Sequence, residues 1–452
     1  MHNALSYNSQ AIREGWAKQW LAKAREYNAT VERDSGTISE LQSLFAYLIE
    51  DQPYQSLETK RAYGYQMLFY CDLTNDWRVW PQWAEELLPT AEPADRVWLL
   101  HGLARYYSEY DRYDESSAAH REGIQLCHDE RWVDDARLAR YWLAAHHTGL
   151  SIVLQRQGDF AAAIEHSNLS VSIFRELGET YRLAYALANL ASGYERNSEH
   201  GLAIARYHQA ISLLEEINNR FELGMVHYSL GISYLFDDQF ANARQAFERS
   251  IELCTLSRNT HQLSNAYYGR AMLHYRLGLY HEAKEDMAAS FREFRKANRE
   301  SPLVDTAAFP VTQGNKYLFA GALYVKSGEI EIALNYLDRA EELYGLSEAN
   351  LTHLAKVRAN RARAFEAAGD ISGDYRAAEA SFLQLIATGQ QLRAPSMIGD
   401  AAVHLVRIYR KRQASWPEWL RLGRILGWRG THGLVVGLGE RVKRTVRVRL
   451  TK

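Results

Sequence analysis

The chain has 452 residues and a formal net charge of -2, so bulk electrostatics favours neither nucleic acid nor a membrane surface. No stretch approaches the ~18 consecutive apolar residues of a membrane-spanning helix, and residues 1–14 lack a basic stretch followed by an apolar core, so no secretory leader is read. Cys71, Cys127 and Cys254 are odd in number and far apart, which suits buried thiols in a reducing cytoplasm rather than a disulfide frame or a zinc site.

Residues 1–50 read as helix, with Ile12, Trp16, Trp20 and Ala24 at four-residue intervals and a second apolar stripe at Leu41, Leu44, Phe45 and Leu48. Asp34-Ser35-Gly36-Thr37 is the turn between them. From Leu57 to Leu88 two more helices carry Tyr63, Met67 and Tyr70 on one and Trp80, Trp83, Ala84 and Leu87 on the other. No proline occurs between Pro93 and Pro302, as a long helical stack requires.

Within that span the sequence repeats itself. The anchor pairs Leu150-Ser151, Leu190-Ala191, Leu230-Gly231 and Arg270-Ala271 follow one another at a constant 40-residue step. Each is followed at fixed distances by Leu154, Tyr194, Tyr234 or His274, then by Ala163, Ala203, Ala243 or Ala283. Next come Ser167, Tyr207, Phe247 or Met287, and then Ser170, Ala210, Ser250 or Ser290. Self-similarity at such a period implies a solenoid whose units each pack only on their neighbours. The alanines mark where two helices cross closely, and Gly158 and Gly278 stand where the first helix of a pair must stop.

Leu230-Gly231…Tyr234…Phe240…Ala243…Phe247 resembles the tetratricopeptide repeat family, in a long 40-residue version. The resemblance implies an all-α, right-handed α-solenoid of helix-turn-helix hairpins. Leu99 to Cys127 reads as a first repeat, with Leu103-Ala104, Tyr107, Tyr113 and Ser116, and an irregularity near His128-Asp129-Glu130 separates it from the next. A further repeat carries Ala320-Gly321, Tyr324, Gly328, Ala333, Leu337 and Ala340. It is displaced by Lys296–Asn315, whose Pro302, Pro310 and Gly314 predict an exposed loop over residues 301–315. Phe365, Gly373-Asp374-Tyr375, Ala378 and Phe382 mark a last repeat within 316–390, and residues 391–430 predict capping helices. Residues 1–95 form irregular helical pairs and 96–300 the main array. Asn75-Asp76-Trp77…Trp80…Trp83 resembles the helical pairs that open the sensor arrays of bacterial STAND-type regulators, over about Trp16 to Gln125.

Residues 431–452 differ in character. Arg441, Lys443, Arg444, Arg447 and Arg449 lie in a terminal run with no acid, after a glycine-rich stretch. This reads as a solvated tail, with an acidic partner or nucleic acid as the alternative.

Signatures of chemistry are missing: there is no Gly-x-x-x-x-Gly-Lys-Ser/Thr, no Gly-x-Ser-x-Gly and no His-Glu-x-x-His. His147 and His227 occupy equivalent repeat positions and read as packing residues. Adjacent His146 and His147 point to different faces of a helix, which suits no single metal. Neither enzyme activity, cofactor nor metal is expected.

The resemblance implies that the first helix of each repeat lines a concave groove. Its inward positions then carry Arg156; Glu195 and Arg196; Tyr228 and Phe236; Tyr268, Tyr275 and Arg276; and Lys326. Arg156, Arg196, Arg276 and Lys326 share one repeat position, so they form either a row that grips acidic groups or a set of cations complementing helix C-termini. Tyr228, Phe236, Tyr268 and Tyr275 make an aromatic floor. Where the chaperone-binding members carry their carboxylate clamp, this chain has Ala188, Ser192, Tyr228 and Ile232. The expected function is a non-catalytic cytoplasmic scaffold or sensor holding a protein or peptide segment in the groove. The alternatives are the detached sensor half of a STAND-like signalling or phage-defence system, and a nucleic-acid-linked regulator acting through the basic tail.

Overall fold

In the computed structural model, residues 57–74, 77–78, 80–128, 136–300, 310–345 and 351–415 are described, with a few single positions beyond. Seventeen α-helices fill them, and no strand occurs among the described residues. They are α1 (Leu57–Thr74), α2 (Trp80–Leu87), α3 (Pro93–Glu109), α4 (Tyr113–Cys127), α5 (Ala136–Gln157) and α6 (Phe160–Leu177). The middle of the chain forms α7 (Thr180–Arg196), α8 (His200–Glu216), α9 (Arg220–Phe236), α10 (Phe240–Leu256), α11 (Thr260–Arg276) and α12 (Tyr280–Glu300). Then follow α13 (Pro310–Lys326), α14 (Ile330–Tyr344), α15 (Leu351–Ser372), α16 (Arg376–Gln391) and α17 (Pro395–Lys411). Consecutive helices pack as antiparallel pairs, and within each compact unit the pairs stack in sequence order: an α-solenoid of tetratricopeptide-type hairpins. The helices separate into two compact units, α1–α11 with most of α12, and α13–α17 with residues 277–284.

The 40-residue period proves to be two equal halves. A residue in the left-handed backbone region recurs at every twentieth position: Gly158, Gly178, Ser198, Asn218, Asp238, Arg258 and Gly278. Each ends a helix, and at the first six the next residue's N–H donates back to the carbonyl five residues earlier, as from Asp159 to Leu154 (2.9 Å), Glu199 to Tyr194 (2.8 Å) and Asn259 to Cys254 (2.9 Å). These bonds satisfy carbonyls that a helix end otherwise leaves unpaired. Glycine serves at three of the seven sites; the other four accept the left-handed strain.

The crossing residues behave as their spacing predicts. Ala163, Ala203, Ala243 and Ala283 are wholly buried. Phe247 on α10 is clasped between first helices of successive hairpins: a Cβ placed at Gly231 (α9) or Gly269 (α11) would come within 2.6 or 2.4 Å of its ring. In the last regular repeat Arg270 replaces the anchor leucine, and its guanidinium makes a bidentate pair with buried Asp286 (2.7 and 3.0 Å). At the N-terminal end of the described chain Trp77, Trp80, Trp83, Trp98 and Trp142 are all buried, with Trp80 Nε1 donating to the Leu99 carbonyl (3.1 Å).

The segment from Lys296 to Asn315 departs from the expected exposed loop. Helix α12 continues to Glu300, and α13 already begins at Pro310, because proline's fixed φ suits a first helical position. Gln313 and Gly314 are buried, and Gly314 faces the Tyr344 ring, whose hydroxyl donates to Asn315 (2.7 Å). Residues 301–309 lie outside the described residues, as do the stripes of residues 1–50, His128's neighbours at 129–135 and the basic tail. In the second unit, buried Glu366 accepts from His404, which stacks on Phe382 at a 4.7 Å ring separation. All three cysteines are buried; burial pushes the Cys127 thiol up to about 12 and the Cys254 thiol to about 11, so neither of these two is a nucleophile at neutral pH.

Candidate functional site

First helices α5, α7, α9 and α11 pack on one another along the first unit as well as on their own second helices. The residues at their C-terminal halves tie one repeat to the next. Gln155 on α5 accepts from Ser192 Oγ on α7 (3.1 Å) and donates to the Asn189 carbonyl (3.2 Å). One repeat later Glu195 takes the same position and accepts from Ser233 Oγ on α9 (2.7 Å). Buried Leu235 and half-buried Tyr275 follow at this position, so the polar ladder gives way to apolar and aromatic side chains.

Glu195 is the centre of the arrangement. Burial pushes its carboxyl above the usual range, against the hydrogen bonds from Ser233 and Tyr207 and the charge of Arg196. Tyr207 on α8 is buried and bonds both Glu195 and Ser229; burial first, then the Glu195 charge, raises its phenol. Tyr228 on α9 lies near Glu195 and beside Tyr268 on α11. Burial raises both phenols, and for Tyr228 the neighbouring Tyr268 and Glu195 add to the effect. Arg196 and Tyr228 thus lie near the half-buried Glu195 carboxylate, and Tyr268 adjoins Tyr228.

The remaining expected residues are placed differently. Phe236 is 50 % exposed at the end of α9 and stacks on His200 (5.9 Å). Tyr275 is half-buried on α11. The guanidinium of Arg156 donates to the Ser108 carbonyl (3.0 Å) and to Glu109 (3.2 Å), and that of Arg276 donates to Asp238 (2.6 Å). Each of these two cations therefore reaches back to the end of the preceding first helix, where it meets a carboxylate of its own chain. Lys326 ends α13 in the second unit and is exposed. Arg441, Lys443, Arg444, Arg447 and Arg449 lie outside the described residues. Sequence reasoning marked Tyr207 only as a repeat packing residue and did not single out Ser229 or Ser233. It also missed the one group of three potential metal-ligating side chains among the described residues, His101, His120 and His146.

Residues 142–216 match the family model of the tetratricopeptide repeat. No curated protein sequence matches the chain. Among solved structures, a Rap protein complexed with competence and sporulation factor is similar at 11% identity and a TM-score of 0.56, over 84% of this chain and 99% of that one. The apo form of the quorum sensor NprR from B. thuringiensis is similar at 14% identity and a TM-score of 0.53, over 83% and 98%. Aspartyl phosphate phosphatase F from Bacillus subtilis gives 16% identity and 0.52, over 87% and 97%. At such identities the likeness concerns the fold.

Proposed function

We propose that this chain is a non-catalytic binding scaffold whose first-helix face, centred on Glu195, Tyr228 and Tyr268, holds a segment of a protein or peptide partner. The observation that carries the reading is the Glu195 carboxylate with exposed Arg196 and the Tyr228 phenol near it, and with Tyr268 beside Tyr228, on successive first helices. Aromatic residues beside arginine are the composition of binding hot spots. Tyr228, Tyr268 and Tyr275 offer apolar area to a partner's side chains, with Phe236 at the margin. Glu195 offers an acceptor to a partner's N–H groups. Arg156 and Arg276 occupy the position equivalent to Arg196 in other repeats of the first unit, and Lys326 does so in the second; Arg156 and Arg276 bring acidic partners of their own, so they recognise an acidic group only by exchanging one carboxylate for another.

Two neighbours in fold support this reading by their names, one a Rap protein solved with a bound factor and one a quorum sensor. A third is named as a phosphatase, so an assay for aspartyl-phosphate hydrolysis belongs in the same experiment. A photo-cross-linking residue in place of Tyr268 should capture a partner, whereas the same residue at Leu169, 43 % exposed on second helix α6, should not. Capture only at Leu169, or hydrolysis by the purified chain, would overturn the proposal. Co-purification with an ATPase would favour the STAND-type alternative, and nucleic-acid binding abolished by deleting residues 441–452 would favour the tail.

A further inference from the structure

Three histidines from three successive helices meet in the interior of the first unit. His101 on α3, His120 on α4 and His146 on α5 are all buried, and each offers a ring nitrogen within 4.8 Å of the other two. The rings pack edge to face, with centroids 5.3 to 5.6 Å apart. The Nδ1 atoms of His120 and His146 converge at 3.0 Å.

Proton positions follow from the partners. The Val97 carbonyl can only accept, so His146 Nε2, 3.1 Å away, carries a hydrogen and donates it. Its Nδ1 therefore presents a lone pair towards His120. Without a further ligand, His120 Nδ1 donates into that lone pair. His120 Nε2 and His101 Nδ1 are then buried with no hydrogen-bond partner. Burying polar atoms unpaired is unfavourable, and three apolar side chains would fill this volume without that penalty. The backbone, moreover, gives way to the imidazoles: a Cβ at Gly123 would lie 2.1 Å from the His146 ring, and one at Gly149 would lie 2.2 Å from that of His120.

We propose that His101, His120 and His146 bind one divalent transition-metal ion of the zinc class, which braces α3, α4 and α5 together. Nitrogens held about 2.0–2.1 Å from a tetrahedral metal stand about 3.3 Å from each other, close to the observed 3.0 Å between the two Nδ1 atoms. His146, fixed through its other nitrogen by a backbone carbonyl, has the orientation and tautomer that support metal ligation. Burial lowers the basicity of all three rings, that of His146 to about 4, so protons do not compete for them at neutral pH. Arg105 and Arg182 also act on His101 and oppose a cation; imidazole nitrogens, borderline-soft donors, favour zinc or cobalt over calcium or magnesium against that repulsion. The neighbouring His147 belongs elsewhere, with its Nδ1 2.9 Å from that of His166.

The full chain, produced in zinc-supplemented medium and dialysed, should retain one zinc per chain by elemental analysis. Exchange with Co2+ should give the strong visible bands of four-coordinate cobalt with nitrogen ligands. His120→Gln and His146→Gln should each weaken zinc by more than the roughly 10–100-fold that loss of a ligand's supporting partner costs. His147→Gln should leave it unchanged. A chain that retains no stoichiometric zinc overturns the proposal, and so does zinc retained equally by the His120 and His146 variants. Should those variants fail to fold, X-ray absorption on the unaltered zinc-loaded chain decides: three imidazoles at the metal support the site, and fewer than three overturn it.

Discussion

Glu195 on α7 accepts a 2.7 Å hydrogen bond from Ser233 on α9, one full repeat further along the stack. The same step, from Gln155 to Ser192, joins α5 to α7. First helices are thus tied to each other through side chains that also border the proposed binding face. Ser233→Ala leaves a half-buried carboxylate short of a donor and should destabilise the chain by about 1–3 kcal/mol, read by chemical denaturation.

The same carboxylate carries a pH dependence. Its folded pKa is raised above the ordinary value, so the folded chain binds more protons than the unfolded chain just above pH 4.5. Its contribution to stability is fullest in acid and declines as pH rises through the folded pKa. Glu195→Gln should remove that decline, visible as a flatter dependence of melting temperature on pH above the ordinary carboxylate range.

Lys316 gives a larger effect in the second unit. Burial holds its amine at about 7, far below the ordinary 10.5. The unfolded chain therefore binds the extra proton between these values, and stability should rise with pH across them by roughly 1.4 kcal/mol per pH unit. Lys316→Met should flatten this slope and stabilise the unit at pH 7. A slope unchanged by the substitution would remove Lys316 as its source.

Tight crossings and turns respond in opposite directions. Ala203→Leu or Ala243→Leu forces methylenes into wholly buried contacts and should cost ~1–3 kcal/mol. Arg258 is exposed and left-handed at φ 52°, so Arg258→Gly should stabilise by up to about 1 kcal/mol, while Gly278→Ala, at φ 77°, should destabilise by a similar amount. Thermal melts of the four variants check both.

Much of this fold was legible because solenoid packing is local. The buried alanines at 163, 203, 243 and 283, and Phe247 between its neighbours, follow from spacing alone. The twenty-residue half-period was harder to read, since only Gly158, Gly178 and Gly278 among the seven left-handed turns carry the residue type that announces them. The candidate site is a reading of repeat position and not of partners. Repeat register placed Glu195, Tyr228 and Tyr268 on one face, but it said nothing of Asp238 and Glu109, which engage Arg276 and Arg156 from the preceding repeats. His101, His120 and His146 escaped because their spacings of 19 and 26 residues match no motif. Only the stacking of three helices brings them together.

The central claim is that recognition occurs on the first-helix face. Its most direct test is the affinity of the partner captured at Tyr268 for the intact chain and for variants of that face. Tyr268→Ala should weaken binding by more than ~1–2 kcal/mol, Arg276→Ala, a salt-screened surface pair, should cost less than about 1 kcal/mol, and Leu169→Ala on the second-helix side should cost nothing measurable. All three variants should keep the helical content of the intact chain. A partner whose affinity is unchanged by Tyr268→Ala combined with Arg276→Ala would contradict the account.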